Sequence, residues 1–128
     1  MSGLVVDTSV WIEFLGGRDL PELEAALKEG RVILPPVVFS ELLSGPTAGG
    51  QERKLLDLME ELDLHETPRP HWLAVGRLRR HCRNKGFRVS IPDAHVAQCA
   101  LDVEGVLYSF DTVFQRISRI VPLKMIRE

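Results

Sequence analysis

The chain has 128 residues, a formal net charge of −2, 45% hydrophobic residues and 27% charged residues. This length predicts one domain over residues 1–128, and the composition excludes disordered and fibrous classes. Its apolar runs are too short to cross a membrane and its first residues carry no basic leader, so we expect a cytoplasmic protein without a signal peptide.

Short apolar runs alternate with helical patterns, and each run predicts a buried strand. Strands separated by helices favour right-handed crossovers and a mainly parallel sheet, so the predicted fold class is α/β. The strands are predicted at residues 4–6, 32–34, 62–65, 106–108 and 123–126.

The helices are predicted from apolar stripes and from residues that begin or end helices. Asp19 is expected to cap the second helix, with Pro21 in its first turn and Gly30 as its stop. Gly86 is expected to end a basic helix, and Ser90 to cap the next one. The helices are predicted at residues 8–15, 20–29, 35–44, about 51–62 after a flexible loop at 46–50, about 70–85, 91–101 and 112–118.

Four acids lie at or just past junctions between predicted elements: Asp7, Glu41, Asp93 and Asp111. In open parallel sheets, ligands bind outside the carboxyl ends of the strands, and Asp7 and Asp111 follow two of these strands. A carboxylate at the end of a buried strand is costly to desolvate unless it has a charge partner, and a shared cation is one such partner. The pattern therefore indicates a metal-binding acidic site.

Each acid also has a purely structural interpretation. Asp7 and Asp111 could be N-caps, and Asp93 could belong to a capping box with Ser90. Glu41 is predicted to lie in the inward stripe of its helix, although a position at the exposed edge of that stripe is the alternative. The occurrence of all four on one predicted fold favours the metal site.

Charge is distributed unevenly along the chain. Residues 1–66 carry 13 acids and 5 bases, whereas residues 67–92 carry 7 bases and no acid. This asymmetry indicates a polyanionic partner, and a solvated helix face is the alternative. Cys82 and Cys99 are interpreted as reduced core thiols of a cytosolic protein.

Four segments together resemble the PIN-domain ribonucleases. They read LVVDTSVW at residues 4–11, FSEL at 39–42, PDAHVA at 92–97 and SFDTVF at 109–114. Their order and spacing are similar to those of the VapC-type toxins of bacterial and archaeal toxin–antitoxin pairs. The resemblance covers nearly the whole chain and implies a three-layer α/β/α fold around the sheet.

The resemblance implies a site and an activity. Asp7, Glu41, Asp93 and Asp111 would form an acidic quartet that binds one or two Mg²⁺ or Mn²⁺ ions, and Ser109 would match the small hydroxyl residue before the last acid. The implied activity is metal-dependent hydrolysis of RNA, since oxygen-only ligands favour hard cations and these ions activate water. The residues expected to hold the phosphate backbone are Arg77, Arg79, Arg80, Arg83, Lys85 and Arg88.

The implied partners are RNA, a VapB-type antitoxin lying over the acidic groove, and a second copy of the chain in a homodimer. Trp11, Phe14 and Leu15 could serve the core or an interface, with the core favoured. His95 is interpreted as a core-edge histidine, and a substrate contact is the alternative.

Three other functions compete with this interpretation. A haloacid-dehalogenase-like phosphatase needs a second aspartate where this chain has Ser9, and a receiver-like phosphoacceptor needs an acidic pair where it has Val5 and Val6. Both are disfavoured. A catalytically silent PIN-like interaction or RNA-binding domain stays open, because a sequence shows ligands and not turnover.

Overall fold

A five-stranded parallel sheet forms the centre of the protein. The computed structural model describes residues 2–45 and 51–126, and within these ranges the strand order is β3-β2-β1-β4-β5, with every neighbouring pair parallel. The predicted sheet is thus confirmed, and its described part is parallel throughout. The strands are β1 (Leu4–Val6), β2 (Val32–Leu34), β3 (Asp63–Leu64), β4 (Val106–Tyr108) and β5 (Lys124–Met125).

Helices connect and cover the strands in a three-layer α/β/α arrangement. None of the helices within the described residues is long and apolar enough to span a membrane. They are α1 (Thr8–Leu15), α2 (Pro21–Lys28), α3 (Pro36–Ser44), α4 (Gln51–Glu60), α5 (Arg69–Asn84), α6 (Ile91–Asp102) and α7 (Val113–Ser118).

The core lies around β1, whose three residues are all buried. A central parallel strand is covered on both faces, which explains why this segment is apolar at every position. Trp11 of α1 is fully buried and packs edge-on against the ring of Phe14, with 6.0 Å between ring centroids. The core interpretation is therefore right for Trp11, whereas Leu15 is 50% exposed.

Two predicted helix ends agree with the local chemistry. Gly86 follows α5 with a φ of +93°, a left-handed conformation that glycine adopts without a Cβ clash. Ser90 caps α6 by accepting a hydrogen bond from the Asp93 backbone N–H at 3.2 Å. These two residues turn the chain from α5 into the helix that carries Asp93.

Three local predictions need correction or fall outside the description. Asp19 does not cap α2, because the N-cap is Leu20. The Asp19 carboxyl instead lies beside Glu24 and raises the pKa of that residue. The helix predicted at about 51–62 ends at Glu60, so Leu62 lies beyond the end of α4. The predicted loop at residues 46–50 lies outside the described residues.

Candidate active site

The first and fourth strands place Asp7 beside Ser109. Val6 at the end of β1 pairs with Tyr108 at the end of β4, and the Asp7 backbone N–H donates to the Tyr108 carbonyl at 3.0 Å. The chain continues to β2 on one side of β1, while β4 lies on the other side. Asp7 and Ser109 therefore lie at the topological switch point, where open α/β sheets bind ligands.

One carboxylate oxygen of Asp7 is held by two hydroxyl groups. Oδ2 accepts hydrogen bonds from Ser109 Oγ at 2.8 Å and from Ser9 Oγ at 3.0 Å. The Asp7 residue is only 8% exposed, so these bonds stabilise a carboxylate that has lost most of its contact with water. They also fix the orientation of its second oxygen, Oδ1.

Backbone groups orient both hydroxyls toward Asp7. Ser9 Oγ accepts from the Phe110 N–H at 3.1 Å, and Ser109 Oγ accepts from the Asp111 N–H at 3.0 Å. With its acceptor side engaged, each hydroxyl has its proton available for Asp7. Ser9 is a site residue that the sequence patterns did not indicate, although it stands two positions after Asp7 in the first motif.

Asp93 lies in the first turn of α6, close to two other acids of the quartet. Burial is the largest effect and raises its pKa; Asp111 and Asp7 raise it further, against a lowering effect of the Ser90 hydrogen bond. Asp93 thus lies close enough to Asp111 and to Asp7 for each of these carboxylates to disfavour its charged form. A cation is the partner that relieves such repulsion between carboxylates.

Glu41 is exposed, so the prediction that it faces inward is wrong. The buried residues of α3 are Val38 and Leu42, and Glu41 lies at the edge of that stripe. Its Oε1 accepts a hydrogen bond from Thr8 Oγ1 at 3.0 Å. Because Thr8 is adjacent to Asp7, this contact holds Glu41 at the same end of the sheet.

Asp111 is exposed and also acts at the start of α7. Its Oδ1 accepts a hydrogen bond from the Val113 N–H at 3.1 Å. The predicted capping role is therefore partly right, because Asp111 binds a backbone N–H in the first turn of α7. Thr112 holds the N-cap position without a side-chain hydrogen bond. The capping contact engages one of the two Asp111 oxygens and fixes the carboxylate next to Ser109.

The basic residues predicted to hold phosphate lie on or just after α5. Arg79 differs from the others because its Nε donates to the Val89 carbonyl at 2.8 Å, which ties α5 to the segment before α6. Most of the set is exposed, namely Arg77, Arg80, Arg83, Lys85 and Arg88.

Two further arginines stack on aromatic rings and were not predicted from the sequence. The Arg18 guanidinium stacks over Phe110, 4.6 Å from the ring centroid, and Arg116 stacks over Phe87 at 4.2 Å. Phe110 is the neighbour of Asp111, so Arg18 places positive charge near the acids. Both lie outside the charge-rich window, and only contacts between distant segments reveal them.

The four predicted acids share one end of the sheet without forming the tightest group of metal-binding side chains. Within residues 2–45 and 51–126, three such side chains have ligand atoms that all lie within 4.8 Å of one another: His65, His71 and Cys99. None of the four acids belongs to this group.

Comparison with known families identifies the fold. The family model for the PIN domain matches residues 4–120. The chain belongs to the PIN domain family. The matched range contains all four acids, Ser9 and Ser109. These residues lie at the carboxyl end of the sheet in this PIN domain, where the motifs that are distant in the sequence meet. No curated protein sequence matches the chain.

Solved structures share this PIN fold. VapBC2 from Rickettsia felis bound to a DNA fragment from their promoter aligns with a TM-score of 0.78 and 18% identity over 96% of each chain. DNA-bound VapBC from Salmonella typhimurium gives 0.77 and 18% over 98% of each chain. VapBC-5 from Mycobacterium tuberculosis, a member of the VapBC family of toxin–antitoxin systems, gives 0.72 and 25% over the full length of both chains.

Proposed function

We propose that this PIN domain is a divalent-metal-dependent endoribonuclease, the toxin of a VapBC-type toxin–antitoxin pair. PIN domains are generally nucleases. The observation that carries the proposal is the Asp7 carboxylate, which two hydroxyls orient at the switch point with Asp93 and Asp111 as charged neighbours. Similar full-length folds in VapBC structures support the toxin assignment.

The donor set suits a hard cation such as Mg²⁺ or Mn²⁺. Asp7, Glu41 and Asp93 would hold one ion, and Asp111 would bind a second directly or through water; all offer carboxylate oxygens. Burial is the largest cause of the raised pKa of Asp93, and Asp111 and Asp7 add to it; a bound cation would favour the charged form of Asp93 against both effects. When bound, the ion lowers the pKa of a coordinated water and offsets charge on the phosphodiester.

The side chains around the acids have separate tasks. Ser9 and Ser109 hold Asp7 Oδ2, which leaves Oδ1 in a fixed orientation where it would be available to a cation. Thr8 holds Glu41 in the same way through its hydroxyl. Preorganised ligands of this kind raise affinity, because the ordering cost is met on folding.

RNA would be held through its phosphates by exposed cations on and after α5. Arg18, fixed over the ring of Phe110 next to Asp111, would add a contact near the acids, and Arg116, fixed over Phe87, would add a second cation. Arg79 is removed from the predicted substrate contacts in this proposal, because its guanidinium is engaged by the Val89 carbonyl.

The target RNA of a VapC-type toxin is cytoplasmic, and we place the protein there.

The antitoxin would use the apolar groove beside Glu41. A cavity of about 450 Å³ is lined by Ile12, Leu15, Leu42, Leu55 and polar neighbours that include Glu41. Ile12 is 61% exposed and Leu15 50%, and exposed apolar side chains on neighbouring turns mark a protein contact. A segment bound in this groove would lie next to the acids and deny RNA access. A homodimer is part of the proposal by family resemblance.

The deciding experiment measures cleavage of single-stranded RNA by the purified full chain with Mn²⁺, with Mg²⁺ and with EDTA. Metal-dependent cleavage is expected, and Asp7→Asn should abolish it because the oriented carboxylate is lost. Asp57→Asn is the matched control, since Asp57 is an exposed acid on α4 in a surface pair with Arg53.

The outcomes separate the alternatives. Undiminished cleavage by Asp7→Asn, or cleavage insensitive to EDTA, would contradict the proposed site. A folded protein that binds RNA but does not cleave it with either metal would favour the catalytically silent PIN-like binding domain. Thermal unfolding of each variant by circular dichroism establishes that loss of activity is not loss of fold.

A further inference from the structure

A buried polar cluster lies outside the acidic site and has no part in the proposed cleavage. We call it the histidine cluster; it comprises His65, which follows β3, His71 in the first turn of α5, and His95, Cys99 and Asp102 of α6. His71 and His95 are 3% and 1% exposed, and Cys99 is fully buried. Three separate elements therefore converge on one group of metal-binding atoms.

Hydrogen bonds connect the members of the histidine cluster. Asp102 Oδ2 accepts from His71 Nδ1 at 2.5 Å and from His65 Nε2 at 3.0 Å, because a carboxylate can only accept. His71 Nε2 lies 2.7 Å from His95 Nδ1, and His95 Nε2 lies 3.9 Å from Cys99 Sγ. The rings are also held in place by Trp72, which stacks on His95 with 4.8 Å between centroids.

The ligand atoms of His65, His71 and Cys99 lie within 4.8 Å of one another. Zn²⁺ binds nitrogen at about 2.0–2.1 Å and sulfur at about 2.3 Å, so tetrahedral ligand atoms stand roughly 3.3–3.8 Å apart. Movements of about 1 Å would bring the three atoms to that spacing. Two imidazoles and a thiol are borderline and soft ligands, which suit zinc and not the hard cations expected at the quartet.

We propose that His65, His71 and Cys99 bind one Zn²⁺ ion per chain, at a site separate from the acidic quartet. Asp102 is the outer partner of the two imidazoles, as carboxylates are behind zinc-bound histidines, because it bonds to His71 Nδ1 and His65 Nε2. The ion would therefore bind His71 Nε2 and His65 Nδ1, and it would replace the contact of His71 Nε2 with His95 Nδ1. Gln98 in turn holds Asp102, donating from Nε2 to Oδ1 at 2.8 Å. On binding, the Cys99 thiol releases its proton to solvent and the sulfur binds as thiolate.

The three protein ligands would leave the fourth tetrahedral position to water, and the bound ion would act on α6. It joins the end of β3 and the first turn of α5 to the helix that carries Asp93. Asp93 and Cys99 are six residues apart on α6, about 9 Å along the helix axis at 1.5 Å per residue. Zinc would thus fix the helix that presents Asp93 without touching the acids. This inference does not depend on the nuclease proposal.

The test uses the full chain, stripped with a chelator, dialysed and titrated with Zn²⁺ and separately with Co²⁺. We expect one tightly bound Zn²⁺ per chain, a rise in the unfolding temperature, and a thiolate-to-cobalt charge-transfer band. Asp7→Asn should keep all three signals, which separates this site from the quartet. Asp102→Asn should weaken zinc binding about 10–100-fold, and loss of a ligand should weaken it more.

Matched variants isolate the ligands. Cys99→Ser should lose the cobalt band, whereas Cys82→Ser, at the other buried free cysteine, should keep it. His65→Gln should lose zinc stabilisation, whereas His81→Gln, on the exposed side of α5, should not. His65 is only partly buried, so His65→Gln tests the site even if Cys99→Ser does not fold. Absence of bound zinc, or equal binding by His65→Gln and His81→Gln, would overturn the proposal and leave a metal-free hydrogen-bonded cluster.

Discussion

Ser109 Oγ donates a hydrogen bond to Asp7 Oδ2 at 2.8 Å, joining residues 102 positions apart in the chain. The pairing of β1 with β4 creates this contact, since Val6 and Tyr108 are partners at the strand ends. The bond fixes the orientation of the buried Asp7 carboxylate. Its removal is therefore the most direct way to ask whether orientation of Asp7 matters.

Ser109→Ala should lower metal-dependent RNA cleavage about 10-fold while Ser9 still holds Oδ2. A hydrogen bond to a charged group contributes about 1.5–3 kcal/mol, and tenfold corresponds to about 1.4 kcal/mol. The measurement is the cleavage rate against Mn²⁺ concentration, where the apparent Mn²⁺ affinity should fall. Ser44→Ala, which removes a hydroxyl bonded to the Ser40 carbonyl, is the control. Equal rates for the two variants would mean that Ser109 does not act through Asp7.

Replacing Arg77, Arg80 and Arg83 with Gln should weaken RNA binding with little effect on Mn²⁺ affinity. These exposed cations are proposed to contact phosphates, and each contact with a single strand contributes about 0.7 to the slope of log K against log salt. Filter binding of RNA to the chain across a salt series measures that slope. Arg53→Gln, an exposed arginine on α4, is the control. An unchanged slope in the triple variant would leave the basic stretch as a solvated helix face.

Arg79→Met should destabilise the fold by about 1–2 kcal/mol, because it removes the hydrogen bond to the Val89 carbonyl and leaves that acceptor without its charged donor. Urea unfolding at constant pH measures the loss. Arg80→Met should stay within about 0.5 kcal/mol of the parent chain, as exposed substitutions usually do. Should both variants prove equally stable, Arg79 would return to the set of candidate phosphate contacts.

His95 should make metal-free stability depend on pH. Burial, with His71 and His65 adding to it, lowers the pKa of His95 to about 4 from an ordinary value of 6.5. Between about pH 4 and pH 6.5 the unfolded chain thus binds a proton at His95 that the folded chain does not bind. The contribution of His95 to the free energy of unfolding is therefore fully present above about pH 6.5 and is lost toward pH 4. The full loss is on the order of 3 kcal/mol.

Asp102 adds a pH dependence of the same sign at lower pH, around and below the ordinary aspartate pKa of 3.8. Its partial burial alone would raise its pKa, but hydrogen bonds from Gln98, His71 and His65 outweigh that effect and hold the pKa below its ordinary value. A carboxylate with a lowered pKa stabilises the fold above its unfolded pKa and loses that contribution as pH falls through the folded value.

Urea unfolding between pH 4 and 7 with EDTA present tests the His95 prediction. His95→Gln should be less stable at pH 7 but show a shallower decline between pH 6.5 and 4. His81→Gln should keep the slope of the parent chain. A parent-like slope in His95→Gln would show that the acid sensitivity comes from other groups.

Local sequence patterns were enough to determine the elements and the order of the motifs. Buried parallel strands leave continuous apolar runs such as Leu4–Val6, and Ser90 and Gly86 mark helix ends through backbone chemistry that needs no tertiary contact. The α/β fold follows from these features together. The PIN family was indicated by the resemblance of the four motif segments, and the family model that matches residues 4–120 shows it. The single domain over residues 1–128 stays a prediction.

Only the tertiary structure decided which side chains meet. The hydroxyl of Ser9 at Asp7, the stacking of Arg18 on Phe110 and the hydrogen bond from Arg79 to Val89 depend on strand order and helix packing, which local periodicity does not encode. The exposed position of Glu41 depends on which side of α3 packs on its neighbours. The histidine cluster shows most clearly that tertiary structure decides which side chains meet. Its residues come from three elements, and their spacing along the chain does not predict a metal site.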